Sequence, residues 1–446
     1  MLMAYDMTSC DGGSDMNIYD LYKQKLTSAE DAVLSIRSGE VVAFGQLGSC
    51  PKAICEAMPL LKGNAKHVRT YLPVTTRHYT FMTDPAYADT FDHTCGFMMP
   101  STRAGYKNHL VSPYPNDLHS GIDRWIEHNG SDVFIVGVAP MDEHGYFCMP
   151  LSLIYERNFF ETAKRVIVEV NPRLPRIWGD TMIHVSEVDM IVEAENPLEM
   201  LPESHPTEKE EIIGQYVASL VNDGDCIQLG WGGIPDAAAH ALRGKHDLGI
   251  HSEMLCNSMV DLVEEGVITG RKKTYLPGMI VGTFAAGNQR LYDMLNNNPM
   301  VRLFRGDVNN DPRTVAKNDN FVAINSAVNV DLTGQICAES IGSRQYSGSG
   351  GQFDMTYGAL HSRGGRSIIA LPSTQKDGTV STISAQLTPG SAVTTSRCSI
   401  DYVVTEFGIA PLAGRNFRQR VDNLISIAHP DFRAQLRKDA ERLMLW

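Results

Sequence analysis

Residues 223–236 read Asp-Gly-Asp-Cys-Ile-Gln-Leu-Gly-Trp-Gly-Gly-Ile-Pro-Asp, and this stretch decides the fold class. It predicts a strand over 225–229, a glycine turn over 230–233 and a following helix. Pro235 can open that helix, because a proline loses nothing by lacking an N–H group in a first turn. A strand that feeds a helix through a short glycine turn is typical of α/β proteins with parallel sheets.

The same order of features occurs earlier in the chain, which predicts an internal repeat. Thr207 and Glu210 have the spacing of a capping box before the second unit, and Thr27 and Glu30 have it before the first. A strand is predicted over 41–44. The other matched positions are Gly39 with Gly224 and Gly45 with Gly230, both 185 positions apart, and Pro51 with Pro235 after one residue of slippage. The alternative is chance, since any two helix–strand–glycine units look alike.

The repeat divides the chain into two predicted α/β domains, residues 1–200 and 205–446. The segment between them, 195–206, contains three prolines and three glutamates, as expected of a linker. Further buried strands are predicted at 133–138, 166–170 and 367–371. Each domain is therefore expected to be an open, mainly parallel sheet with helices.

Composition excludes several classes of protein. The chain has 446 residues and a net charge of -13, which does not suit nucleic-acid binding. Its longest apolar run is about seven residues, far short of the roughly 20 that a membrane helix needs. Residues 1–17 lack the basic-then-apolar pattern of a signal peptide. Nine cysteines without a C-x-x-C motif favour reduced thiols and the cytoplasm, and no recognised metal-ligand spacing occurs.

The first loop that could bind a ligand is the glycine turn at 229–236. A helix that follows such a turn offers free N–H groups to an anion, which would let an acidic protein bind an anionic ligand. The motif is neither G-x-G-x-x-G nor a P-loop. A purely structural tight turn is the alternative interpretation.

A second loop carries the best candidate for a reacting side chain. His251-Ser252-Glu253-Met254 follows the apolar run 248–250, so Glu253 is expected at the edge of the sheet where ligands bind. An ionised glutamate can attack an activated acyl group. A surface glutamate or a helix cap is the alternative for Glu253.

The third loop, 347–352, reads Ser-Gly-Ser-Gly-Gly-Gln and can form a nest of backbone amides for an oxyanion or a phosphate. Lys376 is a candidate partner for a phosphate nearby. The alternatives are a flexible loop and an ordinary solvated lysine. Arg271-Lys272-Lys273 is expected to be a solvated turn.

Five ordered motifs resemble the acetyl-CoA hydrolase/transferase family, nearest to its 4-hydroxybutyrate and butyrate–acetate CoA-transferase branch. They are Leu229–Asp236, Leu248–Met254, Gly278–Asn288, Ala323–Gly334 and Tyr346–Asp354. The resemblance implies two related α/β halves with the active site between them, and a homodimer. It implies that Glu253 is the nucleophile, which forms a glutamyl-CoA thioester without a metal. The residues implied to lie at bound coenzyme A are Gly230, Trp231, Gly232, Gly233, Ile234, Asn325, Gly350, Gly351 and Lys376.

The resemblance implies a CoA-transferase with a ping-pong mechanism. The expected donor is acetyl-CoA or succinyl-CoA, and the expected acceptor is a short-chain acid such as butyrate, 4-hydroxybutyrate or itaconate. Relatives commonly continue with aromatic-Ser-Asp-Gly after the glutamate, whereas residues 255–258 here are Leu-Cys-Asn-Ser. That difference, with the unusual turn at 45–48, leaves the acyl specificity open. An acyl-CoA hydrolase, a CoA- or nucleotide-binding sensor without catalytic activity, and a dehydrogenase are the alternatives.

Overall fold

Two large sheets, several small two- or three-stranded sheets and the helices around them make up the structure, a computed structural model that describes residues 17–445. The prediction about a signal peptide concerns residues that are mostly outside this range. None of the helices described between 17 and 445 is long and apolar enough to cross a membrane. The helices are α1 Ile18–Lys25, α2 Ala29–Leu34, α3 Lys52–Ala57, α4 Thr80–Thr83, α5 Pro100–Lys107, α6 Leu118–Asn129, α7 Glu156–Thr162, α8 Glu208–Ser219, α9 Gly233–Ala241, α10 Asn257–Glu264, α11 Gln289–Leu295, α12 Gly306–Asn309, α13 Pro312–Val315, α14 Gln352–His361, α15 Phe417–Ile427 and α16 Pro430–Arg442.

The first sheet has seven strands, and every neighbouring pair is parallel. Its order is β4-β3-β2-β1-β5-β6-β7, so the chain leaves β1 in one direction and later returns to its other side at β5. The strands are β1 Val41–Phe44, β2 Val68–Tyr71, β3 Phe91–Cys95, β4 Val111–Pro113, β5 Val133–Val138, β6 Arg165–Val170 and β7 Met190–Glu193. The predicted buried strands at 133–138 and 166–170 are confirmed.

The second sheet has six strands in the order β9-β8-β10-β11-β12-β13, all parallel except the last pair. The strands are β8 Cys226–Gln228, β9 Gly249–Ile250, β10 Phe321–Ser326, β11 Arg366–Ala370, β12 Tyr402–Thr405 and β13 Gly408–Pro411. The order reverses between β9 and β10, which flank β8. Ligands of open α/β sheets bind at the carboxyl edge of such a switch point.

Equivalent polar contacts recur in the two sheets and support the internal repeat. In each half an arginine at the start of a strand pairs with a carboxylate that directly precedes the first strand, and the next residue donates its N–H group to an aspartate. These contacts are Arg165 with Glu40 and Val166 with Asp189 in the first half, and Arg366 with Asp225 and Ser367 with Asp401 in the second. Glu40 and Asp225 are 185 positions apart, the same offset as the glycines. The two-halved α/β prediction is confirmed by the structure, and the limits 1–200 and 205–446 stay a prediction.

The start of the first unit differs from the prediction. Ser28, not Thr27, caps α2, because its hydroxyl accepts the N–H of Asp31 at 3.0 Å. The N–H of Thr27 donates instead to the Ile191 carbonyl at 2.9 Å, which holds Thr27 beside the sheet. The Thr27–Glu30 capping box is therefore wrong. The Thr207–Glu210 capping box is confirmed at the start of α8.

The halves are joined through a shared hydrophobic core. One cluster of buried side chains contains Phe134 and Val168 from the first sheet with Ile227 and Ile324 from the second. Backbone hydrogen bonds cross the junction as well, for example from Leu153 N–H to the Thr283 carbonyl at 2.9 Å. A site at this junction is therefore supported by packed side chains and backbone hydrogen bonds from both halves.

The two equivalent ion pairs differ in burial and should therefore differ in their contribution to stability. Arg366→Gln should lower the free energy of unfolding by about 3 kcal/mol, because it leaves the Asp225 carboxylate buried and unpaired. Arg165→Gln should lower it by about 1 kcal/mol or less, since Glu40 and Arg165 are both partly solvated. Urea unfolding followed by circular dichroism gives both values. An Arg165 variant as unstable as the Arg366 variant would contradict this account.

Candidate active site

The backbone around Glu253 is fixed from two sides at the end of β9. The Ser252 N–H donates to the Val281 carbonyl at 2.9 Å, and the Glu253 carbonyl accepts the N–H groups of Thr283 and Phe284 at 2.9 and 3.0 Å. The Glu253 side chain remains partly exposed. Its carboxylate is thus presented from a segment that has little freedom to move.

A chain of side-chain hydrogen bonds orients the Glu253 carboxylate. Asn309 Nδ2 donates to Thr283 Oγ1 at 2.9 Å, and Thr283 Oγ1 donates to Asn310 Oδ1 at 2.8 Å. The amide nitrogen of Asn310 is therefore left to face Glu253, and it donates to Oε2 at 3.1 Å. A donor held in this direction favours the ionised form of the carboxylate.

The glycine loop before α14 meets the same carboxylate. The backbone N–H of Gly351 lies against Glu253 and acts to lower the pKa of its carboxyl group. A Cβ atom on Gly351 would lie 1.8 Å from Glu253 Oε2 and 2.3 Å from Asn310 Nδ2, so only glycine fits at this position. Gly350 has a φ of +52° and directs the chain into α14. The predicted proximity of Glu253, Gly350 and Gly351 is thus present in the structure.

A second carboxylate lies near Glu253 and influences its charge. Burial, followed by the negative charge of Asp354, raises the pKa of Glu253 to about 7. Asp354 is fully buried and accepts both the backbone N–H of His119 at 3.0 Å and the ring Nδ1 at 2.7 Å. The hydrogen bond to Asp354 raises the pKa of His119, and the same bond acts to lower the pKa of Asp354, so a side chain of the first half favours the ionised form of Asp354.

The glycine turn at 230–233 lies beside the Glu253 segment. Ser252 Oγ donates to the Leu229 carbonyl at 3.1 Å, and Cys256 Sγ lies 3.4 Å from the Gly230 carbonyl. Cys256 is buried, and burial raises the pKa of its thiol to about 11. This cysteine therefore joins the two loops as a neutral thiol.

The turn itself is open, but the start of α9 is not a simple anion site. The Trp231 side chain is 47% exposed, and Gly232 has a φ of +128°, which favours glycine. A Cβ atom on Gly233 would lie 2.2 Å from Glu210 Oε1, and Asp236 occupies the first turn of α9. These two carboxylates oppose a phosphate at this helix terminus, so the turn suits a neutral part of a ligand better.

Of the remaining predicted residues, one lies at the switch point of the second sheet and the others lie elsewhere. Asn325 is at the carboxyl end of β10, and its Nδ2 donates to Gln228 Oε1 at 3.3 Å, which places it at the switch point. Lys376 is exposed, and its described contacts lie within its own hairpin turn. Lys273, predicted to be solvated, is buried beside Gly249, and its Nζ donates to the Ile250 and Met279 carbonyls at 2.8 and 2.7 Å. That prediction is wrong because the missing side chain of Gly249 makes room for Lys273.

Residues of the first half complete the site, and sequence reasoning missed them. Ser349 Oγ donates to the Asn116 carbonyl at 2.5 Å, and Phe97 packs against Gly348 and Gly350. Arg103 lies over the Tyr346 ring, 3.6 Å from its centroid. The glycine loop of the second half is thus held against the first half. Among residues 17–445, no group of three or more His, Cys, Asp or Glu side chains is arranged to hold a metal ion.

Comparison with known proteins gives a consistent result. The family models for the N-terminal and C-terminal domains of acetyl-CoA hydrolase/transferase match residues 8–202 and 287–440. Succinyl-CoA:cyclohexane-1-carboxylate CoA transferase of Geobacter metallireducens is 41% identical over 425 residues, 95% of this chain and 96% of the relative. 4-Hydroxybutyrate coenzyme A transferase of Clostridium kluyveri is 42% identical over 429 residues, 95% and 99% of the two chains. The crystal structure of RipA from Yersinia pestis superimposes with a TM-score of 0.91 at 37% identity, covering 97% of this chain and all of RipA.

Two linked α/β halves with a carboxylate held at their junction, together with these matches, define a CoA-transferase. The chain belongs to the acetyl-CoA hydrolase/transferase family. The family resemblance of the sequence motifs is therefore confirmed.

Gly351→Ala should inactivate the enzyme, because the new methyl group would displace the Glu253 carboxylate and the Asn310 amide. We expect kcat to fall on the order of 100-fold or more, as when one oxyanion donor is lost. Gly244→Ala is the matched control, since a Cβ atom there meets nothing within 4 Å. A Gly351→Ala enzyme with normal kcat would contradict the packing described.

The pH dependence of kcat/KM should report the ionisation of Glu253. Only the carboxylate can attack, so activity is expected at high pH and should be lost as the pH falls through the pKa of about 7. Asp354→Asn removes the neighbouring negative charge and should move this loss of activity to lower pH. Asp123→Asn, on the exposed side of α6, should leave the profile unchanged. An Asp354→Asn profile that matches the wild type would show that Asp354 does not tune Glu253.

Proposed function

We propose that this CoA-transferase exchanges coenzyme A between a short-chain acyl-CoA and a short-chain carboxylate through a thioester on Glu253. The observation that carries the proposal is a carboxylate oriented by Asn310 and Gly351 at the junction of the halves. The donor is acetyl-CoA or succinyl-CoA, and the acceptor is an acid such as butyrate, 4-hydroxybutyrate or itaconate.

The first half-reaction begins when a Glu253 oxygen attacks the thioester carbonyl of the acyl-CoA. The tetrahedral oxyanion collapses, the C–S bond breaks, and a mixed anhydride and CoA thiolate form. The thiolate then attacks the Glu253 carbonyl carbon, which releases the acyl group as a free carboxylate and leaves the glutamyl-CoA thioester. An incoming carboxylate reverses these steps, so a thioester is exchanged for a thioester and no ATP is consumed.

Asn310 and Gly351 have a role in both half-reactions. Their N–H groups hold the Glu253 carboxylate before attack, and they can hold the oxygen of the glutamyl carbonyl when CoA thiolate adds to it. Fixed donors of this kind stabilise an oxyanion by roughly 3 kcal/mol each. The same pair therefore supports the formation and the breakdown of the thioester.

The long coenzyme A molecule is proposed to lie along the switch point of the second sheet. Gly230, Trp231, Gly232, Gly233 and Ile234 would contact its neutral pantetheine arm, because Glu210 and Asp236 oppose a phosphate there. Asn325 lies at the same edge. Lys376, on an exposed hairpin, is proposed to reach the phosphate end. A homodimer and a cytoplasmic location remain predictions from the sequence.

Kinetics with and without an acceptor test this proposal against the hydrolase alternative. CoA release should depend on added carboxylate, and initial rates should give the parallel reciprocal plots of a ping-pong enzyme. Acceptor-independent release at the full rate would instead identify a hydrolase.

Glu253→Gln should lower kcat by several orders of magnitude, because an amide cannot attack the thioester. Glu253→Asp keeps the carboxylate but withdraws it from Asn310 and Gly351, and we expect a loss of about 100-fold. The two variants are compared in the same CoA-exchange assay. A Glu253→Gln enzyme with wild-type turnover would rule out the assigned nucleophile.

A further inference from the structure

The loop between β3 and α5 places an aromatic ring opposite the reacting carboxylate. Phe97 stands in this loop, which is fixed at its start by Cys95 Sγ, 3.1 Å from the Phe97 carbonyl, and at its end by the Met99 N–H, which donates to Thr102 Oγ1 at 3.1 Å. The loop comes from the first half, whereas Glu253 comes from the second. Phe97 thus covers the site from the other side of the junction.

The position of Gly350 defines the space between Phe97 and Glu253. A Cβ atom on Gly350 would lie 3.5 Å from Phe97 Cε2 and 3.7 Å from Glu253 Oε1. The ring and this oxygen therefore face each other across the space that a side chain at 350 would fill. Oε2 is held by Asn310, so Oε1 is the oxygen that faces the Phe97 ring.

The Phe97 ring is itself held firmly. A Cβ atom on Gly348 would lie 3.0 Å from Phe97 Cδ2 and 2.6 Å from the Gly96 carbonyl, so the glycine loop packs directly on this segment. The neighbouring Met98 is buried. Phe97 is partly exposed, with one part of the residue in the junction and another part at the surface.

We propose that Phe97 is the water shield of the Glu253 thioester and thereby makes the enzyme a transferase instead of a hydrolase. This inference rests on the proposed function. Transfer and hydrolysis start from the same thioester and differ only in which nucleophile reaches its carbonyl carbon. An apolar ring beside that carbon excludes water, while the acyl acceptor enters with its own apolar part against the ring.

The reaction that Phe97 would suppress is hydrolysis of the Glu253 thioester, and water is its only other reactant. Water adds to the carbonyl carbon of the Glu253 thioester, and the C–S bond breaks. CoA leaves as a thiol with one proton from water, the second proton goes to solvent, and the Glu253 carboxylate is restored. No further reactant is required, so access for water is the only barrier that the protein needs to control.

The test measures the lifetime of the thioester in wild type, Phe97→Ala and Phe97→Leu. Each enzyme is incubated with acetyl-CoA, freed of small molecules on a desalting column, and followed by intact-protein mass spectrometry without an acceptor. Removing the ring leaves room for more than one water molecule. The Phe97→Ala adduct should therefore decay about tenfold faster or more, and Phe97→Leu should lie close to the wild type.

Phe407→Ala is the control, because Phe407 is an exposed phenylalanine that packs on His429 near the edge strand of the second sheet. Its adduct should decay as the wild-type adduct does. Equal lifetimes for wild type and Phe97→Ala would overturn the shield, and so would failure of both Phe97 variants to form an adduct. If the wild type itself forms no adduct, the proposed function fails instead.

Discussion

A carboxylate that must stay ionised in a crowded, partly buried place is the constraint on which the rest of this structure depends. Burial and Asp354 both raise the pKa of Glu253, whereas Asn310 and Gly351 oppose that rise by donating to the carboxylate. A carboxylate tuned to about 7 is still ionised in useful amounts at neutral pH and is more nucleophilic than an ordinary one. Glycine at 351 follows from the same constraint, because any side chain there would take the place of the carboxylate.

The two halves share a pattern of strands, turns and ion pairs but differ in the side chains at their carboxyl edges. In the first half, the buried Glu169 carboxylate accepts the N–H of Ile54 at the start of α3 at 3.0 Å, and Asn196 at 2.9 Å. Glu169 is four residues after Arg165, and the residue four after the equivalent Arg366 is Ala370. The first half thus satisfies its own helix terminus with a carboxylate from a neighbouring strand, and the second half has no carboxylate at the equivalent strand position.

The sequence was sufficient for most of the local units and loops, because these depend on nearby residues; the Thr27–Glu30 capping box is the exception, since Thr27 bonds to a distant strand. The glycine turn at 230–233 and the strand before it needed only their own pattern, and the motifs placed Glu253 and Gly351 at the site. Asn310, His119 and Phe97 could not be found in this way, since each reaches the site by long-range packing. Lys273 shows the same limit, because its burial depends on a missing side chain at Gly249. The equivalence of Glu40 and Asp225 could have been predicted from the sequence, because these residues are 185 positions apart, like the paired glycines.

The central claim is that the acyl-CoA reacts with one particular carboxylate at the junction of the halves. Peptide mass spectrometry tests this claim most directly, after incubation with acyl-CoA in the absence of an acceptor and reduction of the adduct with borohydride, which converts a thioester to an alcohol. The account predicts the reduced residue at Glu253 in the peptide that also contains Cys256. A modification at any other residue would contradict it.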